Sequence, residues 1–133
     1  MERSTKQQQK NEGESEICLK VFAWLMVVTY MAVIFYFSHQ SAENQPIKTT
    51  NANYLLHFLE YAGLGVLLSF GFHTIKRASP RNILGFGGFY AATDEVHQYF
   101  VPTRVASLGD WVADWAGVAA GFILTNKLIN RIR

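Results

Sequence analysis

Seventeen consecutive residues, Val21 to Phe37 (VFAWLMVVTYMAVIFYF), carry no charged side chain. With Ser38 they make a helix of about 27 Å at 1.5 Å per residue, close to the hydrocarbon thickness of a bilayer. A cleaved secretory signal is the competing reading, but a long, mostly polar stretch precedes the run and FSHQSAENQ offers no clear small-x-small cleavage site. The run therefore reads as an uncleaved first transmembrane helix.

Three further apolar segments follow, near residues 54–72, 82–100 and 108–128. Each is about long enough to cross, although each also holds ionisable residues. Half of the chain is apolar and only 17% is charged, which is low for a soluble domain of this size. A soluble helical bundle is the alternative, favoured only by the modest mean hydropathy. The sequence thus predicts an all-α fold, a four-helix transmembrane bundle over residues 17–130, preceded by a disordered polar tail over 1–16 (MERSTKQQQKNEGESE) with no apolar period. Ala113, Gly117 and Gly121, four apart, and Gly88 and Ala92 would let the helices approach closely.

Lys and Arg fix the expected orientation. Arg3, Lys6, Lys10 and Lys20 precede the first span, Lys76, Arg77 and Arg81 follow the second, and Lys127, Arg131 and Arg133 end the chain. That is ten residues in alternate segments, against Lys48 and Arg104 in the other two. The positive-inside rule then places both termini in the cytoplasm of a multi-pass protein of the cell membrane. Tyr36, Tyr54, Tyr99, Trp111 and Trp115 fall near the outer ends of their spans, where interfacial aromatic belts form. A net charge of +2 without a basic stripe gives no reason to expect a nucleic-acid partner. The single Cys18 cannot form an intrachain disulfide, and GLG at Gly63 lacks the βαβ setting of a nucleotide loop.

The polar residues inside the spans carry the functional signal. His57 and Glu60 fall in the outer half of span two; Asp94, Glu95, His97 and Gln98 end span three; Asp110 and Asp114 open span four. A charge at membrane depth costs about 2.5–3.5 kcal/mol, so these residues must meet one another, water or an ion. Helical spacing pairs His57 with Glu60, Asp94 with His97 and Gln98, and Asp110 with Asp114, and turns Glu95 about 100° away from Asp94. Three readings compete. In the first, His57, Glu60, Asp94 and His97 hold a divalent metal such as zinc, as i, i+3 ligand pairs do in carboxylate-bridged bundles. In the second, His97 or His57, oriented by Asp94 or Glu60, performs acid–base or nucleophilic work on a lipid-linked substrate while Arg104, beyond Pro102, grips a phosphate or carboxylate. In the third, the cluster only locks the helices together. Ser38, His39 and Gln40 read as loop and cap residues, and His73 as interfacial.

In this order, FSHQSAENQ, HFLEYAGLG (57–65), TDEVHQYFVPTR (93–104) and the D-x-x-x-D-x-x-G of Asp110–Gly117 resemble the VanZ-like family of small bacterial membrane proteins. The resemblance runs from about Val21 to Asn126. It implies an accessory envelope protein that lowers sensitivity to teicoplanin-type glycopeptides, acting on or binding a lipid-linked cell-wall component at the bilayer. The residues it marks are His57, Glu60, Asp94, Glu95, His97, Gln98, Arg104, Asp110 and Asp114. A lysine expected about one turn before the histidine is replaced here by the Asn53–Tyr54 stretch.

Overall fold

The computed structural model describes residues 2–41 and 50–132, which leaves Lys48 and the later part of FSHQSAENQ outside the described residues. Four helices account for nearly all of them: α1 (Glu2–Ser38), α2 (Thr50–Thr74), α3 (Pro80–Tyr99) and α4 (Leu108–Ile132). The all-α expectation holds. Three stretches are long and apolar enough to cross a membrane, Gln7–Ser38, Ala52–Thr74 and Leu108–Ile132. At 20 residues α3 has a matching length of about 30 Å. Its composition falls short of the other three, because Arg81, Asp94 and Glu95 interrupt its apolar character.

Where the sequence predicts an unstructured tail, α1 runs on without a break to Glu2. Residues 7–19 are exposed on every side, and this extension is supported only along its own surface, by Lys10–Glu14 at 3.8 Å and Glu16–Lys20 at 3.2 Å. Such i, i+4 pairs contribute a few tenths of a kcal/mol each.

The helices alternate in direction. On α2 and α4 the contacts advance together, from His57 with Asp114 to His73 with Asn126, so these two run parallel. α1 and α3 run against them and alongside each other, since Tyr90 donates to the Met31 carbonyl and Ser38 meets Asp94. α2 and α4 are packed backbone to backbone: a Cβ at Gly117 would run into the Phe58 carbonyl, and one at Gly121 into that of Ala62. Close approach of this kind is how helices associate in lipid, where apolar burial gives little drive. α3 presses on α4 through Gly87 against Val118 and Gly88 against Trp115.

Tyr61, Leu64, Leu68, Ile83, Ala91 and Val118 fill the centre. Phe22, Leu25, Val28, Leu55, Leu59, Phe89, Ile123 and Leu124 stand outward, half or more exposed. In water so large an apolar skin would drive aggregation; in acyl chains it is the expected solvent contact. This favours the bilayer over the soluble-bundle alternative, and the protein is a multi-pass membrane protein.

Trp111 and Trp115 depart from a simple interfacial belt. They stack with ring centroids 6.5 Å apart and donate to the α3 carbonyls of Gly88 and Leu84 at 3.2 and 3.0 Å. Tyr36 and Tyr99 do stand out from the bundle, 63% and 72% exposed.

Candidate functional site

One end of the bundle collects the polar residues, the end where α1 and α3 finish and α2 and α4 begin. Local sequence chemistry shapes it. α3 stops when Phe100 and Val101 fold back on the His97 and Gln98 carbonyls ahead of Pro102. The connection then turns through Thr103 at φ 68°, a left-handed conformation that a β-branched residue rarely adopts. Ser107 starts α4: its hydroxyl accepts from the Gly109 and Asp110 backbone N–H groups at 3.1 and 3.4 Å, as an N-cap does.

Three polar groups form there, each spanning helices. In the first, the Ser38 hydroxyl donates to Asp94 Oδ2 at 2.5 Å, and the Gln98 amide donates to the same oxygen at 3.1 Å and to Ser38 Oγ at 3.0 Å. All three residues are buried. Asp94 is thus tied to α1 and to its own next turn.

In the second, His57 Nδ1 on α2 and Asp114 Oδ1 on α4 share a hydrogen bond of 2.9 Å, with both side chains buried. Glu95 comes from α3, its Oε2 accepting the Ser107 backbone N–H at 2.8 Å. One ligand atom from each of His57, Glu95 and Asp114 lies within 4.8 Å of the others. Beside this group the Asn53 amide donates to Asp110 Oδ1 at 3.1 Å, so the residue standing near the expected lysine still serves an acid of α4, through a neutral donor.

The third is peripheral. His97 lies 3.2 Å from His39, nitrogen to nitrogen, and its ring packs on Phe35 at 4.3 Å between centroids.

Glu60 and Arg104 belong to a cavity of about 480 Å³ between α1 and α2. Tyr30, Val33, Phe37, Leu56 and Leu59 give it apolar walls, and Ser38, Asn53, His57, Glu60 and Arg104 line its polar part. Among the described residues the Arg104 guanidinium makes no ion pair. A second cavity, about 360 Å³, opens on the other side of the cluster between Glu95, Ser107 and Trp111.

All nine expected positions, His57, Glu60, Asp94, Glu95, His97, Gln98, Arg104, Asp110 and Asp114, therefore reach this end of the bundle. They do not form one centre. The divergence of Asp94 from Glu95 is realised, Asp94 facing α1 and Glu95 facing α4. Of the four ligands expected for a metal, only His57 stands in the converging trio; Asp94 is engaged by Ser38, His97 by His39, and Glu60 lines the cavity. Sequence spacing supplies one partner, Gln98 for Asp94 along α3; the others it could not supply, because those hydrogen bonds run between helices. The place of Ser38 beside the polar loop reads in sequence as a cap, while the structure buries it against Asp94. Tyr61, fully buried, carries no signal in the sequence beyond its place in HFLEYAGLG.

What remains unsatisfied is concentrated here. Asp94 Oδ1, Glu95 Oε1, Asp114 Oδ2 and the Tyr61 hydroxyl are buried without a hydrogen-bond partner among the described residues. Each such group costs about 1–3 kcal/mol or more, so the three acids and the Tyr61 hydroxyl beneath them make this the part of the bundle where a bound water, ion or ligand would stabilise most.

No curated protein and no solved structure matches the chain. A family model described as VanZ/LLP1 matches residues 21–130, an interval that contains every helix-borne acid and imidazole of the bundle end. With most of its length and the whole polar cluster inside that match, the chain belongs to the VanZ/LLP1 family.

Proposed function

We propose that this protein binds an amphiphilic, lipid-linked cell-surface component at the outer face of the cell membrane, and by doing so lowers sensitivity to teicoplanin-type glycopeptides. The observation that carries this reading is the two-sided lining of the α1–α2 cavity. Val33, Phe37, Leu56 and Leu59 suit an acyl or prenyl chain, while Arg104, Asn53 and His57 suit a phosphate or carboxylate at its head. Orientation follows from charge: Lys20, Lys76, Arg77, Arg81, Lys127 and Arg131 lie toward the opposite end, which supports cytoplasmic termini and an outward-facing pocket.

An enzymatic role at the same place is the second reading, favoured by the buried, unpartnered carboxylate oxygens beside His57. A cluster serving only to hold helices together would leave fewer of its acceptors empty.

The test uses a polyprenyl phosphate as probe and native mass spectrometry of the detergent-purified protein. The parent should retain about one probe per chain. Arg104→Gln removes a charge-assisted contact of roughly 1.5–3 kcal/mol, so retention should fall by about 10–150-fold, and Val33→Trp should block the apolar wall. Cells carrying either variant should become more sensitive to teicoplanin. If both variants hold the probe and protect cells as the parent does, the groove is not the site. Probe binding that persists in Asp94→Asn while protection disappears would move the proposal from binding to chemistry.

A further inference from the structure

We infer that His57, Glu95 and Asp114 form a site for one divalent first-row cation such as Zn²⁺, set between the two cavities. The inference is independent of the groove reading.

Geometry comes first. The three residues arrive from three different helices, α2, α3 and α4, and offer one ligand atom each within 4.8 Å of one another. Around Zn²⁺, with ligands at about 2.0–2.2 Å, tetrahedral neighbours are about 3.3–3.6 Å apart. No separation in the trio exceeds 4.8 Å, so the widest has only about an ångström to close, and the His57–Asp114 pair, at 2.9 Å, has a few tenths to open. One imidazole and two carboxylates are a donor set that zinc accepts, and three protein ligands leave a coordination position for water or substrate.

Charge balance comes second. Two carboxylates face one imidazole in a place where all three residues are more than nine-tenths buried, with Asp114 fully enclosed. No Lys or Arg joins them: among the described residues the sole ion-pairing partner of Asp114 is His57, and Glu95 has none. A dication balances the two acids directly. Protonation does not serve as well. A neutral carboxyl must place its own O–H on an acceptor: Glu95 Oε2 already accepts from Ser107 and Oε1 has no partner among the described residues, while a proton shared between Asp114 Oδ1 and His57 Nδ1 still leaves Asp114 Oδ2 without one. These two orphaned oxygens are the independent sign that the trio is built around something absent from the protein atoms.

Access comes third. His57 is also part of the wall of the larger cavity, and Glu95 of the smaller one, so an ion held by the trio would be reachable from both sides. The remaining contacts of the ligands come from the scaffold: Ser107 N–H holds Glu95 Oε2, and the glycine-mediated contact of α2 with α4 sets the His57–Asp114 spacing. Asp110, tied to Asn53, and Asp94, tied to Ser38, are the nearby acids outside the trio.

The experiment takes the full-length, untagged protein in detergent, stripped with a chelator and then titrated with Zn²⁺ or, as a spectroscopic probe, Co²⁺. Metal content is read by mass spectrometry after desalting, and stability by thermal unfolding. About one equivalent should be retained, with a rise in Tm and the visible bands of a low-symmetry Co²⁺ complex. Glu95→Gln and Asp114→Asn should each weaken affinity by more than the roughly 10–100-fold that losing an outer-shell partner costs. Asp94→Asn, an equally buried neighbour, should change it less than about threefold. Failure of the parent to retain metal or gain stability overturns the inference, and this readout does not depend on any variant folding. Equal loss in Asp94→Asn and Asp114→Asn also overturns it, since that describes a diffuse acidic patch. Measuring polyprenyl phosphate retention on the stripped and loaded parent separates the two proposals: lipid bound with no metal sinks only this one, and metal bound with no lipid sinks only the groove.

Discussion

Gly117 and Gly85 make opposite predictions for the same substitution. Replacing glycine by alanine inside a helix gains about 0.5–1 kcal/mol in backbone entropy when nothing obstructs the new methyl group. At Gly85 no atom lies within 4 Å of the added Cβ, so Gly85→Ala should stabilise by about that amount. At Gly117 the Cβ would sit 2.9 Å from the Ala62 nitrogen, where ordinary contact begins at 3.4 Å, and closer still to the Phe58 carbonyl. These are backbone atoms of α2, so no rotamer change relieves the overlap, and α2 and α4 must part by more than the roughly half ångström that the Ala62 contact alone would require. Overpacking of this sort costs about 1–3 kcal/mol, which offsets the entropy gain at the least and leaves Gly117→Ala up to about 2.5 kcal/mol less stable than the parent. The damage reaches the site, because Gly117 lies one turn from Asp114 on the same buried face of α4. The assay is unfolding in mixed micelles with increasing sodium dodecyl sulfate, followed by fluorescence of Trp24, Trp111 and Trp115. If Gly117→Ala proves as stable as Gly85→Ala, the backbone-to-backbone packing of α2 on α4 is wrong, and with it the account of how His57 meets Asp114.

Two further substitutions probe the polar end by the same unfolding assay. Ser38→Ala removes the 2.5 Å donor to buried Asp94 and should cost about 1.5–3 kcal/mol, the range for a hydrogen bond to a charged group; a loss under about 0.5 kcal/mol would mean that Asp94 does not depend on α1. Tyr61→Phe deletes a buried hydroxyl that has no partner among the described residues and should leave stability unchanged or raise it by up to about 1 kcal/mol. A clear fall in stability would contradict that assignment, and unchanged stability with lost protection against teicoplanin would make the hydroxyl part of the functional site.

The fold was legible because each of its causes is local or periodic. Val21–Phe37 declares a span by length alone, and Gly117 and Gly121 announce a close-packing face by their spacing of four. The set of polar positions was legible for a related reason: the alternation of the spans sends His57, Glu95 and Asp114 to one end whatever the side-to-side packing. Which of them touch was not, since it depends on how far each helix is rotated about its axis. Helical periodicity put His57 with Glu60 and Asp94 with His97, yet rotation turned His57 to Asp114, Asp94 to Ser38 and His97 to His39. Ser38 illustrates the limit: a serine at the end of an apolar run looks like a cap until a second helix brings a carboxylate to it.

The weaker apolar character of α3 and the chemistry of the cluster have one origin. Asp94 and Glu95 are what keep α3 from reading as a span as clean as α1, and in lipid they would be untenable on an outward face. The fold holds them inside by tying α3 to α1 through Ser38 and Gln98 and to the start of α4 through Ser107. That arrangement satisfies two of the four carboxylate oxygens, Asp94 Oδ2 and Glu95 Oε2, while Asp94 Oδ1 and Glu95 Oε1 have no partner among the described residues. A helix needed only to complete a bundle would be more stable with apolar residues at both positions, because a half-satisfied buried polar group is worse than a well-packed apolar one. The acids of α3 therefore cost the fold stability, and a ligand or ion bound as proposed above would offset that cost at the oxygens the helices leave without a partner.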